Sequence, residues 1–288
     1  MKQQHRTLTK VLSETYGIDV TEVETQKNGC SCTGFKINNG SYVCPVVYYS
    51  SEETVEELAE RIISVANQPA PQIDAEDIIS KDKLLRNSYL AIQRQGTEDL
   101  VKRDFCNLEL IIRISVVLPD KDSRGSIKVT PQILESSGLS EEELFDAARK
   151  NSVRMASISS MAEMLGAPDG LFEETPFYVG TYMDGNGKYW GHGAAILALP
   201  EVIHDFCMSH GFSSVYILPS STSEALFLNM TAMDNDSVDV NELSSMVNEI
   251  NLTTVDPTLR LDPVIYFFDD NTQQISIVSV YAERDMIA

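Results

Sequence analysis

The sequence predicts an α+β protein with mostly antiparallel sheets, helices packed on one side and two to three lobes. Short β-branched and aromatic runs are separated by turn residues such as Asn28-Gly29, a pattern that favours hairpins. Longer stretches carry apolar residues at helical spacing. After residue 176 the elements follow the order β-β-α-β-β-α-β-β, which is typical of an antiparallel sheet with helices on one side.

The first lobe is predicted over residues 1–67, as a helix, a three-stranded meander and a second helix. The run Val43–Tyr49 is β-branched and aromatic, which predicts a central strand. The second helix has apolar residues at helical spacing and therefore one buried stripe. Its stripe consists of Val55, Leu58, Ala59, Ile62 and Ala66. The first helix is predicted over 2–16 and the three strands over 20–27, 33–38 and 43–49. A linker follows over Asn67–Gln72.

The second lobe is predicted over residues 73–165. Residues 75–104 are polar and favour helix, whereas Cys106–Leu118 favours a long strand paired with Ser126–Thr130. The next two helices carry local start and stop residues. Pro131 opens one, Gly138 ends it, and Ser140 with Glu143 forms the capping box of the next. A further helix is predicted over 153–165.

The third lobe is predicted over residues 172–288, after a second linker at Gly166–Pro176. The turn at 184–187 predicts a hairpin whose return strand is Tyr189–Leu199. Asp239 is a candidate N-cap for a helix with Val240, Leu243, Val247 and Ile250 on one face. The remaining predicted elements are strands at 177–183, 214–218, 224–229, 263–268 and 274–281 and a helix from Pro200 to Gly211.

The net charge of −21 limits the classes of partner. Segment 189–259 has no Lys or Arg, and residues 222–288 carry twelve acidic against two basic side chains. Nucleic acids and anionic membranes need a basic patch, so we expect neither as a direct partner. The apolar runs are too short to span a membrane and no signal peptide is evident, which predicts a cytoplasmic protein. The oligomeric state stays open.

The five cysteines predict reduced thiols, since their number is odd. Cys106 and Cys207 have apolar neighbours in the sequence and are expected in the core. Cys30 and Cys32, with Cys44 nearby, lack the two C-x₂₋₄-C pairs that zinc sites usually show. We therefore expect no metal and no cofactor.

The sequence resembles a bacterial family, domain of unknown function 5688. The residues that carry the resemblance are YWGHGAAILALPEVIHDFCMSHG at 189–211 and VYILPSSTSEALFL at 215–228, with similar earlier blocks at 39–62 and 125–152. The family often has Ser-Ser-x-His-Glu where this chain has Ser223 in place of the His. A role for that His is not implied here, and the resemblance implies no activity.

The loop Pro219–Glu224 is the candidate for catalysis. Ser220, Ser221 and Glu224 could act with His192 in a hydrolase-like reaction, since a serine nucleophile needs a base within hydrogen-bond reach. The simpler interpretation is that these hydroxyls bond to the backbone of the turn. Gly191-His192-Gly193 does not match a phosphate loop, and its glycines favour a bulge or a close backbone approach.

The acidic C-terminal region is the candidate for partner binding. Asp234, Asp236 and Asp239 would present charge to a basic protein, although strong charge also serves solubility alone. Because no catalytic motif is specific, the sequence favours a non-enzymatic cytoplasmic binding or accessory protein. The alternatives are the hydrolase-like enzyme and an acidic nucleic-acid mimic that inhibits a basic partner.

Overall fold

Three antiparallel sheets and their covering helices make up the described part of the chain, and they confirm the α+β fold class. The structure is a computed structural model that describes residues 2–40, 44–49, 53–68, 80–117, 124–166, 177–219, 221–229 and 239–280. Both predicted linkers lie mostly outside these ranges. Within them, no helix has the length and apolar character to cross a membrane.

The first sheet has the order β1-β2-β3, as the meander prediction required. The turn between β1 and β2 consists of Asn28 and Gly29, both with positive φ, which is the backbone that a tight hairpin needs. Two helices cover one face, with Leu12, Phe35 and Ile62 fully buried between the layers. The elements are α1 (Lys2–Tyr16), β1 (Val20–Lys27), β2 (Cys30–Ile37), β3 (Val46–Tyr48) and α2 (Val55–Ala66).

The central-strand prediction for Val43–Tyr49 is wrong, because β3 lies at the edge of its sheet and pairs with β2 alone among the described strands. Only Val47 is buried in it, so its β-branched composition reflects one covered face. The buried stripe of α2 is confirmed, with Leu58 and Ile62 inside.

The second sheet has the order β4-β6-β5, and β7 pairs with the same edge of β6 as β5 does. The mostly helical prediction for 75–104 is wrong beyond residue 87. Strand β4 is buried along most of its length, so pairing with β6 outweighs its local composition. The elements are α3 (Lys81–Asn87), β4 (Ser88–Arg94), β5 (Lys102–Phe105), β6 (Leu108–Val117) and β7 (Arg124–Lys128).

The helices after the second sheet begin and end at the predicted residues. Pro131 opens α4, Gly138 ends it in the left-handed conformation, and Ser140 and Glu143 form the capping box of α5. The helix predicted over 153–165 is interrupted by a strand that pairs with the strand Phe177–Tyr182, so a partner distant in the sequence decides its structure. The elements are α4 (Pro131–Ser137), α5 (Glu141–Met155), β8 (Ala156–Ser160) and α6 (Met161–Leu165).

The third sheet has six strands in the order β13-β12-β10-β11-β9-β8. The predicted return strand Tyr189–Leu199 is wrong. Within the described part of this segment, a single β-bridge joins Met183 to Tyr189, and residues Gly193–Ala198 form a buried 3-10 helix. The elements are β9 (Phe177–Tyr182), α7 (Pro200–His210), β10 (Ser214–Leu218), β11 (Ala225–Asn229), α8 (Val240–Thr254), β12 (Val264–Asp269) and β13 (Gln274–Val280).

One hydrophobic core joins the second and third sheets, and it includes Ile112 and Leu144 together with Ile203 and Phe227. The first lobe has its own core and attaches through Asn28. The Asn28 side chain donates to the Arg260 carbonyl at 2.6 Å and accepts from the Arg94 backbone at 2.7 Å. The division into three lobes stays a prediction about independently folding units.

Candidate functional site

The serine loop is tied to the backbone around it. Ser220 lies outside the described residues. The backbone of Ser221 forms an isolated antiparallel β-bridge with that of Arg260, and the backbone N–H of Thr222 donates to the Leu259 carbonyl at 2.8 Å. The Ser221 hydroxyl is buried and accepts from the Ser223 backbone N–H at 3.1 Å. These contacts fit a hydroxyl that stabilises a turn.

The segment before the 3-10 helix lies directly against this loop. The Gly193 backbone N–H donates to the Ser223 carbonyl at 2.7 Å, and the Tyr189 hydroxyl donates to the same oxygen at 3.4 Å. The close backbone approach expected of these glycines is confirmed at Gly193, where a Cβ would lie 2.4 Å from Thr181 Cα, but not at Gly191, whose added Cβ would meet no described atom within 4 Å. Glu224 lies near enough for its charge to help raise the pKa of Tyr189, after the larger effect of burial.

His192 takes the left-handed conformation, with φ of 61°, and its imidazole faces the second sheet. Its ring centroid lies 5.7 Å from that of Tyr89. Burial, and then the charges of Arg113 and Lys128, lower the pKa of His192 to about 3, so the ring is neutral near pH 7. Among the described residues, no hydrogen bond joins this imidazole to Ser221, and the catalytic roles stay predictions.

The cationic neighbours of His192 were not found by sequence reasoning. On β6 and β7, Arg113 and Lys128 are directly opposite each other, and Tyr89 of β4 is opposite Arg113 on the other side. We call Arg113 and Lys128 the basic cluster. The alternation of apolar and polar residues in β6 could have assigned Arg113 to a face, but only the strand register places Lys128 beside it.

Of the three aspartates proposed for partner binding, one lies within the described residues. Asp234 and Asp236 lie outside them. Asp239 caps α8, as predicted, since its side chain accepts from the Asn241 backbone N–H at 2.8 Å. Their role in partner binding stays a prediction.

The outer face of α8 combines apolar and acidic side chains. Met246, Ile250 and Leu252 are 37%, 40% and 61% exposed, and Glu242 and Glu249 are exposed beside them. These five residues are called the α8 outer face. All of them belong to the segment without Lys or Arg.

Ile250, which the sequence places on the same face of α8 as Val247, is 40% exposed. The inward position at that level of α8 belongs to Asn251, which is 3% exposed and donates to the Leu261 carbonyl at 3.1 Å. One turn earlier Val247 is buried, and Ser244 donates to the Pro263 carbonyl. Polar contacts therefore fix the rotation of α8 and turn Ile250 towards solvent.

The cysteines are free thiols in the structure. Cys207 is buried as expected, and burial raises the pKa of its thiol to about 12. The core prediction for Cys106 is wrong, since it lies exposed in the β5–β6 turn with φ of 52°. Cys30 accepts from Arg94 Nη2 at 2.6 Å. Across the described ranges, no three His, Cys, Asp or Glu side chains are grouped to hold a metal ion.

The comparison with protein families matches most of the chain. The model of the family of unknown function DUF5688 matches residues 1–270. The comparisons with curated proteins and with solved structures found no match.

Proposed function

This chain belongs to the family of unknown function DUF5688, and we propose that it is a non-enzymatic binding or accessory protein that docks a basic protein partner. The α8 outer face is the proposed docking surface. The observation that carries the proposal is the exposure of Met246, Ile250 and Leu252 on one helix beside acidic side chains.

The chemistry of this face favours a partner with apolar anchors and basic flanks. Met246 and Ile250 are one helical turn apart and expose apolar surface that a partner could remove from water. Glu242 and Glu249 would attract Lys or Arg and steer the encounter. A nucleic acid would be repelled by the same charges.

Helix α8 is also suited to present these side chains rigidly. Its inner side is held by Val247 in an apolar cluster and by the hydrogen bonds of Ser244 and Asn251 to the loop before β12. Its N-terminus is capped by Asp239. A surface that is fixed before binding loses little conformational entropy when the partner docks.

Affinity purification followed by direct binding measurements tests this proposal. The test variant replaces Met246, Ile250 and Leu252 by Ser, and the matched control is Met208→Ser, which removes a 65% exposed side chain from α7. A basic protein recovered from an extract of the source organism should be retained by the wild type and the control. Its purified form should bind the test variant at least about tenfold more weakly, which corresponds to about 1.4 kcal/mol.

Two results would contradict the proposal. One is a partner that binds the triple variant and the wild type with equal affinity. The other is an enzymatic activity of the purified chain that Ser221→Ala abolishes without unfolding the protein. The second result would favour the hydrolase-like alternative.

A further inference from the structure

A row of side chains crosses three neighbouring strands of the second sheet. Strand register places Tyr89 opposite Arg113, and Arg113 opposite Lys128. Like charges directly opposite each other on paired strands are destabilising. The basic cluster is therefore an arrangement that needs compensation, and it lies in a chain whose net charge is strongly negative.

The compensation of the two cations is unequal. Lys128 Nζ lies 2.7 Å and 2.6 Å from the two carboxylate oxygens of Glu98. The Arg113 guanidinium donates through Nε and Nη2 to the Ser126 hydroxyl, at 3.0 Å and 2.8 Å. Within the described residues it has no carboxylate partner, so its positive charge is not balanced there.

A third cation approaches from the first lobe. Lys27 Nζ lies 3.6 Å from the centroid of the Tyr48 ring, and its charge contributes to lowering the pKa of Lys128, after the larger effect of burial. Three basic side chains are therefore concentrated where the first lobe meets the second sheet.

Neutral hydrogen-bonding groups lie beside these cations. The Tyr89 side chain is 1% exposed, and its hydroxyl has no hydrogen-bond partner among the described residues. Leaving such a group unsatisfied is destabilising. The His192 ring packs against the Tyr89 ring and is partly buried, so it adds a ring nitrogen to the same region.

We propose that Arg113, Lys128, Tyr89 and His192 form a binding site for a small oxyanion, a carboxylate or phosphate group. Arg113 would make the main contact, because a planar guanidinium matches the oxygen pairs of both groups. Glu98 holds Lys128 in place beside it. The site is on the second sheet, shares no residue with the α8 outer face and does not depend on the proposed docking function.

Binding of inorganic phosphate and of acetate tests the proposal at constant ionic strength, with chloride as the reference anion. Calorimetry and thermal unfolding would compare the wild type with Arg113→Gln and Tyr89→Phe. The matched control is Arg149→Gln, which removes an exposed arginine paired with Glu201. We expect one of the two anions to bind and stabilise the wild type and the control, with at least tenfold weaker binding to Arg113→Gln.

The two anions distinguish a phosphate site from a carboxylate site. Because Arg113→Gln removes a like-charge contact with Lys128, the variant should be at least as stable as the wild type without anion. If the variant does not fold, the wild type alone still tests the proposal, because bound anion should shift the NMR resonances of the His192 imidazole. The proposal is overturned if neither anion stabilises the wild type beyond chloride, or if Arg113→Gln responds as the wild type does.

Discussion

The α8 outer face and the basic cluster differ in the sign of their charge and in their exposure. The first consists of exposed apolar and acidic side chains on a helix, in a segment without Lys or Arg. The second consists of partly buried cations on a sheet, held by Glu98 and Ser126. Substitutions on α8 should therefore change association and leave folding intact, whereas substitutions around the cluster should change stability.

The largest effect is expected from Gly193→Ala. The new Cβ would lie 2.4 Å from Thr181 Cα and 2.8 Å from the Gly180 carbonyl oxygen, so the backbone that positions His192 must move. Overpacking of this kind costs about 3 kcal/mol. Urea denaturation measures the loss, with Gly185→Ala as the control because nothing lies within 4 Å of its new Cβ. Equal stability of the two variants would show that the close approach is not required.

The next effect is the pH dependence contributed by His192. Its pKa in the folded protein is about 3, below the ordinary histidine value of 6.5, so the unfolded state binds the proton more tightly. The contribution of His192 to stability should be fully present above its pKa in the unfolded state and should fall as the pH decreases from 6.5 towards 3. Between about pH 7 and about pH 4.5 the contribution is about 2 kcal/mol.

Denaturation of His192→Asn at both pH values isolates this contribution. Asn tolerates the left-handed backbone and does not titrate. We expect the variant to lose about 2 kcal/mol less than the wild type on acidification. Parallel pH profiles for the two proteins would show that His192 is as free to protonate in the folded state as in the unfolded one.

A smaller effect is expected from Glu98→Gln, which leaves Lys128 without its carboxylate. The pair is largely covered, with side-chain exposures of 22% for Lys128 and 16% for Glu98, so the loss should be about 1–2 kcal/mol. The comparison is Glu201→Gln, which breaks the exposed pair with Arg149 and should cost under about 1 kcal/mol. A reversed order of the two losses would contradict the contrast in burial.

The smallest effect on stability is expected on the α8 outer face. Glu249→Lys should change the free energy of unfolding by less than about 0.5 kcal/mol, because the site is exposed. It should slow association with a basic partner severalfold and change dissociation less, since charges at the rim of an interface act mainly by steering. Asp146→Lys on α5 gives the same change in net charge elsewhere. Equal slowing by both would assign the effect to net charge alone.

Local sequence patterns predicted much of the fold. Asn28-Gly29, Pro131 with Gly138, and Ser140 with Glu143 each require only neighbouring residues, and the structure confirms all of them. Strand Ala156–Ser160 depends on pairing with β9, so its helix-like composition was misleading.

The arrangement of the candidate sites depends on residues distant in the sequence even more than the fold does. Lys128 lies beside Arg113 only through strand register, and the orientation of His192 follows from the packing of Gly193 on Thr181. Ile250 faces solvent because Asn251 bonds to the Leu261 carbonyl. None of these relations is visible in a window of a few residues, whereas the capping role of Asp239 is.

The Asn28 contact has a consequence for biosynthesis. Its side chain bonds to the carbonyl of a residue 232 positions later, at Arg260, and to Arg94 between them. At ribosomal rates of about 5–20 residues per second, Arg260 is made on the order of ten to fifty seconds after Asn28. The first lobe is therefore synthesised long before its attachment to the third sheet can form, and this junction closes among the last steps of folding on the ribosome.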